Sequence, residues 1–154
     1  MTAMSEFKAV LKRVNTCSAK ILRNGSADDF RANRFSLEQT NYPDIEGETW
    51  TLTLVQMKKI TDSQVENKTI TIIVPYGAEN GNFSITDVNK GIHLDFVDSS
   101  DAEPYIYIAE KGSVNLTFER KGTELSTISG KFDVTVGTYD IPSFRISGDL
   151  YYSK

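Results

Sequence analysis

The chain has 154 residues, of which 39% are hydrophobic and 25% charged, with a net charge of -4 and a pI of about 5.0. This length and composition fit one folded domain spanning residues 1–154. The basic residues are scattered and the net charge is negative, which argues against nucleic acid as a partner. The single cysteine, Cys17, excludes an internal disulfide and a thiolate metal cage.

The first candidate element is a short N-terminal α-helix over residues 5–15. Phe7, Val10, Leu11 and Val14 lie at the i, i+3, i+4, i+7 positions of one helix face. An edge strand is the alternative, because apolar residues of the same stretch also partly alternate. Lysines and arginines interrupt any apolar run of signal-peptide length. The sequence as given therefore predicts a cytoplasmic protein, provided that no leader has been removed from it.

After residue 15 the pattern is that of β-structure, with short alternating segments separated by turn residues. The predicted strands are Ala19–Arg23, Phe30–Glu38, Trp50–Ile60, Thr69–Val74, Phe83–Thr86, Ile92–Val97, Tyr105–Glu110, Ser113–Arg120, Ser126–Val136 and Phe144–Tyr152. Continuous apolar runs such as Ile72-Ile73-Val74 are far too short to cross a membrane as a helix. The fold class predicted is mainly β, an antiparallel β-sandwich or a barrel-like fold with the short N-terminal helix.

Three glycines recur at eighteen-residue steps in the C-terminal half, at Gly112, Gly130 and Gly148. The strands beside them alternate cleanly between apolar and polar residues, which is typical of an antiparallel sheet with one face on the core. We interpret these glycines as turn, bulge or bend positions where a side chain would obstruct. Gly148 lies inside its strand and predicts a bulge or close packing against a neighbour.

The candidate binding residues form one predicted aromatic and polar patch. His93 and Asp95 share a face of one strand, and Tyr105 and Tyr107 share a face of the next. If these strands pair, the four side chains form one surface, which Tyr151 of the last strand could join. Tyrosine combines an apolar ring with a polar tip, which suits a protein partner or a small ligand. The simpler interpretation is that these tyrosines are ordinary strand residues on a half-exposed sheet or inside a barrel.

An acidic turn after this strand is the weak metal candidate. Asp98, Asp101 and Glu103 could supply oxygen ligands to Ca²⁺, but the spacing does not match an EF-hand. A solvated acidic turn is the simpler interpretation. No dinucleotide, phosphate-loop or hydrolase motif occurs, so the sequence predicts no cofactor.

The function predicted from these features is a non-enzymatic binding or interaction module that uses an exposed sheet face or loop end. Its expected partner is another protein or a second copy of itself, and a membrane partner is not favoured. The alternative is a calycin-like barrel that binds a small apolar ligand, with acid–base chemistry by His93 or Asp95 left open.

Overall fold

The computed structural model describes residues 14–85, 91–101 and 104–154, and these form ten strands in one antiparallel sheet. The strands are Thr16–Arg23 (β1), Ser26–Arg31 (β2), Arg34–Asn41 (β3), Glu48–Thr61 (β4), Gln64–Pro75 (β5), Gly81–Ile85 (β6), His93–Asp98 (β7), Ile106–Lys121 (β8), Glu124–Thr138 (β9) and Ile141–Ser153 (β10). Their order is β2-β1-β10-β9-β8-β7-β5-β4-β3, and β6 pairs with β8. The mainly β, antiparallel prediction is therefore confirmed.

The sheet curls into a half-barrel, which corresponds to the barrel-like alternative rather than to two stacked sheets. β2 and β3 stand at opposite ends of the strand order, yet only Ala32 and Asn33 separate them in sequence. The backbone N–H of Asn33 donates to the carbonyl of Val55 at 2.8 Å, and the backbone N–H of Arg31 donates to Gln56 Oε1 at 2.7 Å. The two ends of the sheet are therefore drawn towards each other beside β4.

The predicted helix over 5–15 is not confirmed. Residues 5–13 lie outside the described residues, and Val14 and Asn15 lead into β1 without helical structure. Within the described residues the chain contains no helix, because every alternating segment finds a neighbouring strand.

The concave face of the sheet holds a continuous apolar core. Alternate residues of each strand point into it, as Ile70, Ile72 and Val74 do on β5. Tyr107 and Phe96 are among its largest side chains, and both are essentially inaccessible to solvent. Large side chains thus fill the described part of the concave face.

The boundary predicted between the strands Tyr105–Glu110 and Ser113–Arg120 is wrong, because both segments belong to the single bent strand β8. Pairing with β9 shifts between Ala109 and Lys111, and Gly112 follows with φ of 115°. A Cβ on Gly112 would meet the backbone carbonyl of Asp133 on β9. The glycine therefore permits a bend and a close backbone approach inside the strand.

The close packing predicted for Gly148 is confirmed. A Cβ at this position would meet the carbonyl of Ser18 and the side chain of Ala19 on β1. A further boundary, the single strand Phe30–Glu38, is wrong because the chain turns a corner at Ala32 and Asn33 between β2 and β3.

Candidate functional site

Three polar side chains, those of Tyr42, His93 and Asp95, form a hydrogen-bonded cluster on the convex face, where β7 meets the segment after β3. Leu94 and Phe96 point into the core, so His93 and Asp95 face outward. His93 Nε2 lies 2.8 Å from Asp95 Oδ2, and His93 Nδ1 lies 3.2 Å from the Tyr42 hydroxyl. The rings of Tyr42 and His93 are 4.8 Å apart between centroids.

Residues 42–47 form a local cover that positions this cluster. The Ile45 amide donates to the Tyr42 carbonyl at 3.0 Å, which turns the chain back over the sheet. Ile73 faces away from the core residues Ile72 and Val74, yet it is 6% exposed, as is Ile45. Burial of Ile73 on the convex side therefore requires a cover, and this segment lies beside its cross-strand partner His93.

Both ring nitrogens of His93 have a hydrogen-bond partner, Asp95 Oδ2 for Nε2 and the Tyr42 hydroxyl for Nδ1. Which atom of the Tyr42 contact donates follows from the tautomer of His93. Desolvation, with smaller contributions from Asp44 and Asp95, raises the pKa of Tyr42. The phenol therefore stays protonated at neutral pH, and the arrangement orients a hydrogen-bonded chain rather than activating Tyr42 as a nucleophile.

The single aromatic and polar patch predicted from the sequence is not formed. Asp95 pairs with Ile108 and Phe96 pairs with Tyr107, so Tyr107 lies on the concave face and is 1% exposed. The physical reason is register, because a shift of one residue in the pairing reverses the face of every side chain.

The remaining tyrosines are separated from His93 and Asp95. Tyr105 precedes β8, is partly exposed, and lies 6.4 Å from the Tyr107 ring between centroids. Tyr151 sits outward between the core residues Leu150 and Tyr152 on β10, which is separated from β7 by two strands. Among the five predicted residues, the structure joins His93 with Asp95 and Tyr105 with Tyr107.

The acidic turn predicted as a weak metal candidate is occupied by an arginine. Arg23 Nη2 donates to Asp101 Oδ2 at 2.9 Å, and Nη1 lies 3.6 Å from Asp98 Oδ2. Asp98 Oδ1 also accepts from the amide and hydroxyl of Ser100. Glu103 lies outside the described residues, and the described part of the chain contains no group of three acidic, histidine or cysteine side chains placed to hold a metal.

Arg23 also anchors aromatic side chains at this end of the sheet. Its Nη2 donates to the Tyr107 hydroxyl at 2.9 Å, and its guanidinium lies 4.9 Å from the Phe144 ring centroid. Burial lowers the pKa of Arg23, whereas the hydrogen bond to Asp101 and the charge of Asp101 raise it. The net result is a raised pKa for Arg23. The hydroxyl of Tyr107 thus serves the closure of the core rather than an exposed surface.

Sequence reasoning missed an apolar surface on the convex side of β7 and β8. Ile106 and Ile108 alternate with core residues and are 58% and 46% exposed. Val97 pairs with Ile106 across the strands, and Asp95 pairs with Ile108. We call Val97, Ile106 and Ile108 the convex patch. The signal was present in the sequence, because Ile106 and Ile108 alternate with Tyr105 and Tyr107, but the candidate surface was placed on the tyrosine face.

Comparison with known proteins finds no matching family model, no similar curated protein and no similar solved structure. Within the described residues, no helix is long and apolar enough to cross a membrane.

Proposed function

We propose that the protein is a non-enzymatic binding module that recognises a protein partner through the convex patch. One observation carries the proposal: Ile106 and Ile108 are exposed side by side on a strand whose opposite face is core. Contiguous exposed apolar surface rimmed by polar residues is a property of interaction sites. Scattered single apolar residues carry no such meaning.

The surroundings of the patch suggest the chemistry of the partner. Asp95 borders the patch on β7, and the exposed Glu110 follows Ile108 along β8. Together with the net charge of -4, these carboxylates favour a partner that presents aliphatic side chains next to lysine or arginine. The covered position of His93 makes it a support for Asp95 rather than a contact residue.

The packing of the core supports the convex surface over the alternative of an internal apolar ligand. Tyr107 lies 4.8 Å from Phe144 and 6.4 Å from Phe96 between ring centroids, so aromatic side chains occupy this part of the concave face. A ligand barrel would need a cavity on the order of 300 Å³ or more there.

The test uses a photo-crosslinking amino acid at Ile108 in cells of the source organism, with Val65 of the exposed β4–β5 hairpin as the matched control position. We expect one discrete crosslinked protein at Ile108 and none of that species at Val65. Substitution of Ile106→Thr should remove the crosslink while the melting temperature is retained, because this side chain is largely exposed. Equal crosslinking at both positions, or no discrete species at Ile108, would contradict the proposal.

A further inference from the structure

The free side of β3 is the feature that carries an inference beyond the convex patch. β3 stands last in the strand order, and within the described residues it pairs with β4 alone. The other terminal strand, β2, is different, because Gln56 of β4 reaches across and accepts a hydrogen bond from Arg31. Among the described residues, none pairs with the outer side of β3, which leaves a row of backbone donors and acceptors for a further strand.

β3 lacks proline, lysine and a bulge, three of the devices that block pairing between edges, and its charges are one arginine and one glutamate. Its eight residues, Arg34-Phe35-Ser36-Leu37-Glu38-Gln39-Thr40-Asn41, include no proline, glycine or lysine. Natural edge strands are usually protected by short length, proline, lysine or a bulge, and pairing with β4 is regular along the whole strand. The edge is therefore suited to β-augmentation, in which an added strand extends the sheet.

The side chains of β3 are complementary to a second copy of the same strand. Phe35 and Leu37 turn towards the core side, whereas Arg34, Ser36 and Glu38 are exposed on the other side. Neither Arg34 nor Glu38 forms an ion pair with another described residue. Both charges are therefore available to a neighbour across the edge.

We propose that two copies of this chain associate by antiparallel pairing of β3 with β3, with Ser36 on the two-fold axis. Continuity of the two faces requires that residues opposite each other lie on the same side of the sheet. The Ser36-centred register meets this condition and places Arg34 opposite Glu38 of the second copy, twice. It also places Phe35 opposite Leu37 of the second copy on the core side.

Other registers with continuous faces are less complementary. Centring the pair on Glu38 sets this carboxylate against itself, and like charges directly opposite each other destabilise a sheet. Centring it on Leu37 sets Arg34 opposite Thr40, so the opposite charges meet only diagonally. The charge pattern therefore selects the second copy as the occupant and Ser36 as the centre.

A single strand edge forms a small interface, so the dimer is weak and its dissociation constant falls on the order of 10–100 µM. Sedimentation velocity over a concentration series measures it directly. We expect Arg34→Glu and Glu38→Arg each to weaken self-association about ten-fold or more, because each puts two like-charged pairs across the axis. The double variant Arg34→Glu/Glu38→Arg restores both ion pairs and should return the dissociation constant to within about three-fold of the wild-type value.

The controls separate this inference from the proposed partner surface. Lys121→Glu makes the same charge change at the exposed β8–β9 turn and should leave self-association unchanged. Ile106→Thr with Ile108→Thr should also leave it unchanged, since the convex patch lies on other strands. A protein that stays monomeric up to millimolar concentration overturns the inference, as does a double variant that remains as weak as the single ones.

Discussion

Arg23 covers the core at the end of the sheet where Asp98 and Asp101 lie, and substitution of this residue tests how much that contact stabilises the fold. Asp98 is 6% exposed and lies with Asp101 around the Arg23 guanidinium, which also stacks on Phe144. Arg23→Met keeps the apolar stem but leaves a buried carboxylate without its cation. Removing one partner of a buried ion pair costs about 3–5 kcal/mol. Because a fifth of the Arg23 side chain is solvent-accessible, we expect the lower end of that range, about 3 kcal/mol.

The matched control is the exposed ion pair on the convex face. Arg145 donates to both carboxylate oxygens of Asp133, at 2.7 and 2.5 Å, and about half of each side chain is exposed. Arg145→Met should therefore lower the free energy of unfolding by less than about 1 kcal/mol. Urea unfolding monitored by circular dichroism compares the two variants directly. A loss for Arg23→Met no larger than that for Arg145→Met would refute the reasoning, whereas adding Asp98→Asn to Arg23→Met should recover part of the loss.

Two further predictions concern buried positions. Burial, reinforced by the charge of Asp149, raises the pKa of Cys17 to about 12, so a thiol reagent at pH 8 should modify the native protein at least about a hundred-fold more slowly than the urea-unfolded protein. The pKa of Cys17 in the native protein lies above the value of about 8.5 in the unfolded chain, so its contribution to stability is complete below pH 8.5 and is lost as the pH rises towards 12. A Cys17→Ala variant whose stability falls by the same amount over that pH range would contradict this. Gly112→Ala should cost about 3 kcal/mol or more, because the methyl group meets the Asp133 carbonyl in a strained backbone, whereas Gly77→Ala, with open space around it, should change urea stability by less than about 1 kcal/mol.

The strands of the C-terminal half could be predicted from period-two alternation, because one face of each is core and the other is solvent. The strand break predicted between Glu110 and Ser113 is wrong for a physical reason. A lysine–glycine pair is a common turn signal, but here the glycine permits a bend inside β8 and a close approach to β9. Local sequence does not distinguish these two uses of glycine, since the distinction depends on the neighbouring strand.

The candidate site shows the same division between local and distant information. The proximity of His93 and Asp95 follows from their spacing, whereas the contact with Tyr42 joins residues 51 positions apart and depends on the turn at Ile45. Tyr107 was assigned to the wrong face because its neighbours depend on the β7–β8 register. Alternation shows that a strand has two faces, but pairing and cover decide which face is buried.

The topology also explains why the two proposed surfaces are independent. In the described residues the concave face is occupied by core side chains, and both proposed surfaces lie outside it. The convex patch lies on β7 and β8, and β3 is separated from β7 by β5 and β4. Since the β3 pairing extends the sheet sideways, it leaves the convex side of β7 and β8 uncovered. A dimer formed through β3 would therefore present two convex patches, and loss of either surface by mutation should leave the other one intact.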